Sequence, residues 1–434
     1  MDWNLAELIQ RHDVPGAQVA VLANGDFKEV AAGVLSRRTV VGTTTDSVFQ
    51  IGSITKIWTS TLAWQLVNEG VLDLDCPIRS YLPTLELSTP EATESITARH
   101  LLTHTSGIDG NLMTDTGRND DAIAAFVATL TTADQLFSPG ELFSYSNSGF
   151  VVLGRLIEVL RGKPFHEVLR THLVTPLGLQ TVSTTAEEAI LHRAAVGHEP
   201  VHGVLTPVTR WALAHSNSPT GAQLAMSARD LLEFARLHLT DEFAALREPQ
   251  VTDLPNFAPD VEAWGLGWML HPDGVVGHTG TTIGQKAFLR VVPSAGVAVA
   301  VLTNSTSGPA LAHEVFTHTL RDLAGIEPPA RATPPATPAP IDDWMCGIYR
   351  GTHIDYTLSA EGGRGFLSYV PRTPLGAIFV GDHTHRDEVV RLDDTSVITA
   401  EPDFGSHHVY SFVGRDETGR ARFLHNSNAH YRID

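Results

Sequence analysis

Strand-forming runs stand at the start of this 434-residue chain and again near residue 300, with mostly helical patterns between them. Near the start, the runs 17–22 and 27–33 flank Asn24-Gly25, a residue pair that favours the tight turn of a β-hairpin. Three further strand runs are predicted at 275–278, 287–292 and 297–302. This order predicts an α+β fold, in which one antiparallel sheet is assembled from both ends and the helices form an excursion from it.

The excursion should consist of helices, because its apolar residues recur at intervals of three and four. We expect helices at about 120–130, 148–162, 164–173 and 227–239, a short amphipathic one at 3–12, and a last one at 309–324. Ser227 should cap the helix at 227–239, with Asp230 as the acid of its first turn. A substrate pocket is expected where the sheet meets the helical region.

Proline separates the end of the chain from this region. The stretch 328–340 contains six prolines among alanines and threonines, a composition typical of a stiff, extended linker. Beyond it lie many short strand-like runs separated by Gly, Pro and Asp, and 378–380 is one of them. We therefore expect a main domain at 1–326, a linker at 327–340, and a small all-β domain, barrel or sandwich, at 341–434.

One predicted helix begins with residues suited to chemistry. Ser53 opens a segment that should run as a helix to Glu69 and stop at Gly70. Its apolar positions, which predict one buried face, are Ile54, Ile57, Trp58, Leu62 and Leu66. Ser53 would then lie at the helix N-terminus, where unpaired backbone N–H groups favour developing negative charge. Lys56 lies one turn further along the same face.

A serine and a lysine at this spacing can act together in nucleophilic catalysis. The hydroxyl needs a base to take its proton, and a lysine can serve when burial lowers its pKa. The alternative is that Ser53 only caps the helix and Lys56 is solvated, and the S-x-x-K pattern alone does not decide between them. Only four of the 30 basic residues are lysines, however, and Lys56 is the one with a serine three residues before it.

Two later clusters add further polar groups. Tyr145 and Asn147 stand two residues apart, directly before an apolar helix. His278, Thr279 and Gly280 end a predicted strand with an imidazole, a hydroxyl and a bare backbone. Each cluster alone has a structural explanation, the first as a helix boundary and the second as an ordinary hydrogen-bonded histidine.

Together and in this order, the three clusters resemble the motifs of the penicillin-recognising serine enzymes, in the branch of the class C β-lactamases and D,D-peptidases with their esterase and transacylase relatives. Stretches that also look typical of that branch are 101–107, 176–179 and 264–268. The resemblance covers about residues 5–325 and implies a β-lactamase/transpeptidase-like fold. The tail at 341–434 resembles the lipocalin-like β domain that is appended to several relatives.

The resemblance implies catalytic roles for Ser53, Lys56 and Tyr145 and a substrate-binding role for Asn147. Ser53 would attack an acyl carbonyl and become acylated. Lys56 and Tyr145 would share the transfer of the serine proton to the leaving group, and Asn147 would orient Lys56 and a substrate amide. A phenol has an unperturbed pKa near ~10, so Tyr145 could act as a base only with a cation such as Lys56 beside it.

The same resemblance assigns the strand that ends in His278, Thr279 and Gly280 to substrate binding. The backbone N–H groups of Ser53 and Thr281 would form the oxyanion hole. His278 departs from the family, since many members have a lysine there. A histidine with a pKa near ~6.5 is mostly neutral at pH 7, which weakens the case for β-lactams or peptide C-termini as preferred substrates. We expect His278 to be neutral and to donate a hydrogen bond to the substrate.

Composition excludes several partners and groups. A net charge of −19 argues against nucleic acid and anionic membrane surfaces. No cofactor motif is present, and Cys76 and Cys346 have no metal-type spacing, so both are expected to be free thiols. His198-Glu199-Pro200-Val201-His202 fits a zinc-protease pattern, but that pattern needs a continuous helix and Pro200 opposes one. No metal is therefore expected. The visible N-terminus has no secretory signal, which favours a cytoplasmic location.

The leading functional hypothesis is a serine acyl-transfer enzyme that works through an acyl-Ser53 intermediate. It would act as an esterase, an amide hydrolase or a biosynthetic transacylase, with a small ester, amide or thioester as donor and water, an amine or an alcohol as acceptor. The first alternative is a D,D-carboxypeptidase or β-lactamase. The second is a binding or sensing protein of the same fold without turnover, which would have no need of the pair Lys56 and Tyr145.

Overall fold

A central antiparallel sheet organises the first part of the molecule. The computed structural model describes residues 4–201, 203–258, 260–380, 384–403 and 406–434. Before the linker, the strands are β1 (Gly16–Ala23), β2 (Asp26–Gly33), β3 (Phe49–Gln50), β4 (His198–Val201), β5 (Val204–Pro207), β6 (Ala225–Met226), β7 (Ala263–Trp264), β8 (Met269–Leu270), β9 (Val276–Thr282), β10 (Gln285–Val292) and β11 (Val297–Thr303). Within these residues, seven strands form one sheet in the order β2-β1-β11-β10-β9-β8-β7.

The sheet joins the two ends of the region, as the sequence predicts. β1 pairs with β2 on one side and with β11 on the other, so the N-terminal hairpin lies beside the last strand. Asn24 and Gly25 both have positive φ, the conformation that a two-residue hairpin turn of this kind requires. All seven residues of β11 are buried, because helices cover both faces of the sheet at this central strand.

Every helix predicted from apolar periodicity is present, and the described residues before the linker also form three short helices that were not predicted, at 90–95, 98–102 and 186–189. They are α1 (Leu5–Arg11), α2 (Thr55–Asn68), α3 (Pro90–Ser95), α4 (Ala98–Leu102), α5 (Ala122–Ala128), α6 (Asn147–Arg161), α7 (Phe165–Leu169), α8 (Ala186–Ala189), α9 (Ala228–Ala235) and α10 (Gly308–Ala324). The predicted helix at 164–173 continues past α7 as a π-helical turn, and that at 227–239 continues past α9 as a 3₁₀ turn. Ser227 accepts a hydrogen bond from the Asp230 N–H and so caps α9 as predicted.

The two faces of the sheet have separate cores. On one face, Leu311 and Val315 of α10 pack with Val299 of β11 and with α1. On the other face, α2 and α9 pack against the sheet and join the remaining helices in one large core. The rings of Trp58 and Phe234 stack with centroids 3.9 Å apart and link α2 to α9.

The prediction that α2 buries only one face is wrong. Residues 55–63 are all 0% exposed, because α2 runs between the sheet and the helical region. Its polar side chains are accommodated by hydrogen bonds to carbonyl oxygens, as when Thr59 Oγ1 donates to Pro219 O (2.7 Å) and Ser60 Oγ to Lys56 O (2.8 Å). Because its buried polar side chains find hydrogen-bond partners in the surrounding protein, the burial of α2 on every side could not be predicted from the spacing of its apolar residues.

The C-terminal region is a separate β-barrel domain. The described residues form eight strands that close on themselves: β12 (Gly347–Arg350), β13 (Ile354–Glu361), β14 (Arg364–Pro371), β15 (His385–Arg391), β16 (Ser396–Thr399), β17 (Val409–Arg415), β18 (Ala421–His425) and β19 (Ala429–Arg432). The strand expected at 378–380 is wrong, since these residues end helix α11 (Pro374–Val380). A short apolar run does not distinguish helix from strand, whereas a proline at the first position favours a helix start.

The proline-rich stretch 328–340 contains neither helix nor strand. The exact domain bounds at 326 and 341 stay a prediction. Cys76 and Cys346 are free thiols, as expected. None of the helices in the described part of the chain combines the length and the apolar character that a membrane span requires. The cytoplasmic location also stays a prediction.

Candidate active site

Ser53 lies in a 3₁₀ turn, Gly52–Ile54, directly before α2. Its side chain is half-buried, whereas its neighbours Gly52 and Ile54 are buried. The end of β9 packs closely on this turn: a Cβ built on Gly280 would lie 1.9 Å from Ile51 O and 3.1 Å from the Ser53 N atom. Glycine is therefore required at position 280, because any side chain would push the strand away from Ser53.

Lys56 lies within hydrogen-bonding distance of the Ser53 hydroxyl. Its Nζ lies 3.3 Å from Ser53 Oγ, 2.7 Å from Asn147 Oδ1 and 3.0 Å from Thr220 O. These partners are all neutral, and no carboxylate of the described residues forms a salt bridge with Lys56. The side chain is completely buried, and burial holds the pKa of its ammonium group well below the usual value. A lysine in this state readily gives up a proton and can then accept one.

Tyr145 also lies close to Lys56. The Lys56 Nζ stands 4.8 Å from the centroid of the Tyr145 ring. The phenol oxygen is buried, and burial raises the pKa of Tyr145 above its ordinary value, with Ser53 offsetting part of the rise. Ser53 is thus close, but the hydroxyl has no partner in hydrogen-bonding geometry among the described residues. Tyr145 is consequently a neutral phenol in the free protein, not the phenolate that the sequence argument considered.

Asn147 is the first residue of α6, where the chain turns from an extended segment into a helix. Ser146 caps this helix by accepting a hydrogen bond from the Gly149 N–H at 2.9 Å. The helix boundary therefore presents Asn147 Oδ1 to Lys56. The spacing Tyr145-x-Asn147 has a local explanation. Ser146 is extended and Asn147 is helical, and this change of backbone conformation directs the side chains of Tyr145 and Asn147 towards Lys56.

The end of β9 brings a backbone N–H beside Ser53. A Cβ built on Gly52 would lie 2.6 Å from the Thr281 N atom, so the backbones at Ser53 and Thr281 adjoin. The Thr281 side chain points elsewhere and accepts a hydrogen bond from Lys286 Nζ at 3.0 Å. Thr279 is half-buried on the same strand, opposite Phe288 of β10. The structure thus brings all the site residues predicted from the sequence into one region.

His278 is buried, with 1% exposure. Its Nδ1 lies 2.6 Å from Thr279 O, and a carbonyl oxygen only accepts, so Nδ1 carries the proton. Burial lowers the pKa of His278 to about 3, which makes the ring neutral at pH 7. The remaining ring atom, Nε2, is then an acceptor without a partner among the described residues. In this tautomer Nε2 can accept but not donate a hydrogen bond, and the role of His278 in substrate binding stays a prediction.

Because His278 is neutral, it should not favour a substrate that carries a negative charge. For two esters that differ only by a carboxylate, the ratio of the kcat/KM values should stay constant between about pH 5 and pH 9 as far as His278 is concerned. A group with a pKa of about 3 gains no proton in that range. Steady-state kinetics on the matched ester pair measures the ratio. A strong preference for the acidic ester that disappears above pH 7 would show that His278 is protonated instead.

One residue near the site was given no role from the sequence. His104, within the stretch 101–107, is completely buried and its ring lies 4.3 Å from that of Tyr145. Its Nδ1 accepts a hydrogen bond from the Ser146 N–H at 2.9 Å, and burial keeps its pKa well below the ordinary value. A neutral His104 thus supports the segment that carries Tyr145. Its positive φ gives no signal in the sequence, which is why the role was missed.

The zinc-protease pattern does not form the helix that it requires. His198 begins strand β4, with its Nδ1 2.9 Å from Asn304 O and its Nε2 accepting from the Arg37 N–H at 3.1 Å. His202 lies outside the described residues. Within those residues, no group of three or more His, Cys, Asp or Glu side chains has an arrangement that could hold a metal ion.

Comparison with known proteins identifies the family. Residues 1–323 match the family described as Beta-lactamase. The chain belongs to the beta-lactamase family. This beta-lactamase family member is 40% identical over 348 residues to penicillin-binding protein 4 from Amycolatopsis lactamdurans. The aligned residues cover 76% of this chain and 91% of that protein.

Solved structures extend the similarity of this beta-lactamase family member to the barrel. SurE is 28% identical, with a TM-score of 0.78 over 98% of this chain and 97% of that one. A second SurE structure, also at 28% identity, contains D-Leu. The octameric penicillin-binding protein homologue from Pyrococcus abyssi shares the fold, at 21% identity and a TM-score of 0.65 over 95% of both chains.

Proposed function

We propose that this chain is a serine acyl-transfer enzyme that works through an acyl-Ser53 intermediate. The observation that carries the proposal is the environment of Lys56, which is buried among neutral partners and has its Nζ 3.3 Å from Ser53 Oγ. A lysine of lowered pKa can take the proton of a serine hydroxyl at neutral pH. Membership of a family of serine enzymes supports the same chemistry.

The proposed reaction has two halves, acylation and deacylation of Ser53, and Lys56 and Tyr145 act in both. Neutral Lys56 accepts the proton of Ser53 as Oγ forms a bond to the carbonyl carbon of the donor. The resulting oxyanion accepts hydrogen bonds from the N–H groups of Ser53 and Thr281. As the intermediate collapses, the bond to the leaving group breaks, and Tyr145 gives its proton to that group while taking one from the Lys56 ammonium. Water, an amine or an alcohol then attacks acyl-Ser53 and the transfers run in reverse.

Tyr145 is assigned as a relay and not as the first base because of its pKa. Burial raises the pKa of the phenol while it lowers that of the Lys56 ammonium, so the free protein favours neutral lysine and neutral tyrosine. Such a pair can exchange a proton once Lys56 has been protonated by Ser53. Asn147, whose Oδ1 lies 2.7 Å from Lys56 Nζ, would keep the amine directed at Ser53.

The substrate is proposed to be a small ester, amide or thioester, and relatives suggest its stereochemistry. SurE, which matches nearly the whole of this chain, has a structure that contains D-Leu. We therefore propose that a D-amino acid residue is recognised next to the reacting bond. A D,D-carboxypeptidase or β-lactamase is the second candidate, and it is favoured by the 40% identity to a penicillin-binding protein. The non-catalytic alternative predicts no covalent adduct at all.

Intact-protein mass spectrometry on a panel of donors tests these proposals. The panel contains activated esters and thioesters of D- and L-amino acids, a penicillin and a fluorophosphonate. We expect an adduct that peptide mapping places on Ser53, with faster formation from the D-ester than from its L-counterpart. A persistent penicilloyl adduct would favour the second candidate. An adduct at another residue would refute the acyl-Ser53 mechanism.

A further inference from the structure

One turn of the barrel contacts the candidate active site. Strands β18 and β19 are joined by residues 426–428, defined here as the β18–β19 turn. The Tyr145 N–H donates a hydrogen bond to Ser427 O at 2.7 Å, and Asn428 Nδ2 donates one to Tyr145 O at 2.5 Å. Both backbone polar groups of Tyr145 are therefore bound by this turn.

The two residues before Tyr145 are bound by the strands that flank the turn. His425 Nε2 donates to Phe143 O at 2.9 Å, and the Ala429 N–H donates to Ser144 Oγ at 3.0 Å. The segment 143–145 thus meets the barrel at each of its three residues. Hydrogen bonds to backbone groups, such as those of Phe143 and Tyr145, fix the position of the chain itself and not only of its side chains.

The local backbone is adapted to this contact on both sides. Ser427 has a φ of +91°, a conformation that is strained for a residue with a side chain and that persists only where the surroundings enforce it. Opposite it, a Cβ built on Gly110 would lie 2.3 Å from Tyr145 O and 3.2 Å from Asn428 Nδ2. The space around the Tyr145 carbonyl is filled by Asn428 and admits no side chain at position 110.

We propose that the β18–β19 turn positions Tyr145 for proton transfer, with Asn428 as a positioning residue, so that the barrel is part of the catalytic unit. The inference rests on the proposed function of Tyr145. The Tyr145 hydroxyl has no hydrogen-bonded partner among the described residues, so its place is set by its backbone and by ring contacts with His104, Trp264 and His278. A displacement of about 1 Å at such a group can cost roughly 10²-fold in rate.

Other contacts between the barrel and the main domain provide controls. Arg422 of β18 forms an ion pair with Glu141 at 2.8 Å, a bond that ends two residues before the segment 143–145. Asn256 Nδ2 donates to Asp393 Oδ2 at 2.8 Å on another part of the interface. Substitutions at these residues weaken the interface without removing a bond to Tyr145.

A double-mutant cycle tests the inference. The four proteins are wild type, Asn428→Ala, Tyr145→Phe and the double variant, and the rate of Ser53 acylation by an activated ester is followed by mass spectrometry. We expect Asn428→Ala to slow acylation about 10–100-fold with little change in KM. In the Tyr145→Phe background, the same change should slow it less than about twofold, because the hydroxyl that Asn428 positions is already gone.

Three outcomes overturn the inference. The first is an Asn428→Ala enzyme with the wild-type rate, and the second is an equal slowing in both backgrounds. The third is a loss from Arg422→Gln as large as that from Asn428→Ala, which would indicate a general role of the interface. Asn428→Ser replaces the alanine variant if the latter does not fold. A wild type that forms no acyl-Ser53 would refute the proposed function itself, and the inference with it.

Discussion

Ser53→Ala is expected to reduce turnover by a factor on the order of 10⁶, the usual loss when the nucleophile of a serine hydrolase is removed. The residue would be unable to form the acyl intermediate, and no donor should then label the protein. The fold should survive, because among the described residues the Ser53 hydroxyl forms one hydrogen bond, the 3.3 Å contact with Lys56 Nζ. Steady-state rates and intact-protein mass spectra with the same ester measure both effects.

Ser60→Ala is the matched control for this prediction. Ser60 lies on α2, the helix that follows the turn of Ser53, and its Oγ donates to Lys56 O at 2.8 Å. Its removal should lower stability by about 1 kcal/mol without preventing acylation. Normal turnover by Ser53→Ala would end the acyl-enzyme mechanism, and equal losses in the two variants would mean that the helix and not the hydroxyl is being tested.

The sheet could be predicted because its signals are local in the sequence. Asn24-Gly25 specifies a tight hairpin turn, and the three later strands are apolar runs of normal strand length. Their union into one sheet follows from their order along the chain. Helix α2 could be predicted only in part. Its bounds follow from the spacing of its apolar residues and from Gly70, which has a positive φ. Its burial on all sides depends on tertiary partners such as Pro219 O and could not be predicted.

The site was accessible from the sequence only in part. Ser53, Lys56, Tyr145 and Asn147 were selected by their spacing and order, and the structure brings them within reach of one another. The direction of the His278 hydrogen bond could not be predicted, because it depends on the backbone oxygen that faces Nδ1. The same limitation applies to His104, whose partners are backbone groups of a distant segment.

The role of the barrel was also beyond the sequence. Asn428 lies 283 residues from Tyr145, and the contact is made to a backbone oxygen, which leaves no pattern of residue types. The six prolines at 328–340 predict two parts joined by a linker but do not say whether the parts touch. The hydrogen bonds to the segment 143–145 show that the second part contacts the candidate active site directly.

Tyr145→Phe is expected to slow acylation by roughly 10²–10⁴-fold, the usual contribution of a general acid–base group. The change removes only an oxygen, and the ring contacts with His104 and Trp264 are retained. Because the hydroxyl has no hydrogen-bonded partner among the described residues, its loss should leave the free energy of unfolding nearly unchanged. Acylation rates and thermal unfolding of the same preparation measure both quantities.

Tyr349→Phe supplies the opposite result for comparison. This buried tyrosine of the barrel donates its hydroxyl proton to Met345 O at 2.6 Å. Its loss should cost about 1 kcal/mol of stability and leave the acylation rate as it is. The Tyr145 hydroxyl would be assigned to the reaction by two results together. Tyr145→Phe should lose activity but keep its stability, and Tyr349→Phe should lose stability but keep its activity. An unchanged acylation rate in Tyr145→Phe would mean that Lys56 transfers the proton alone.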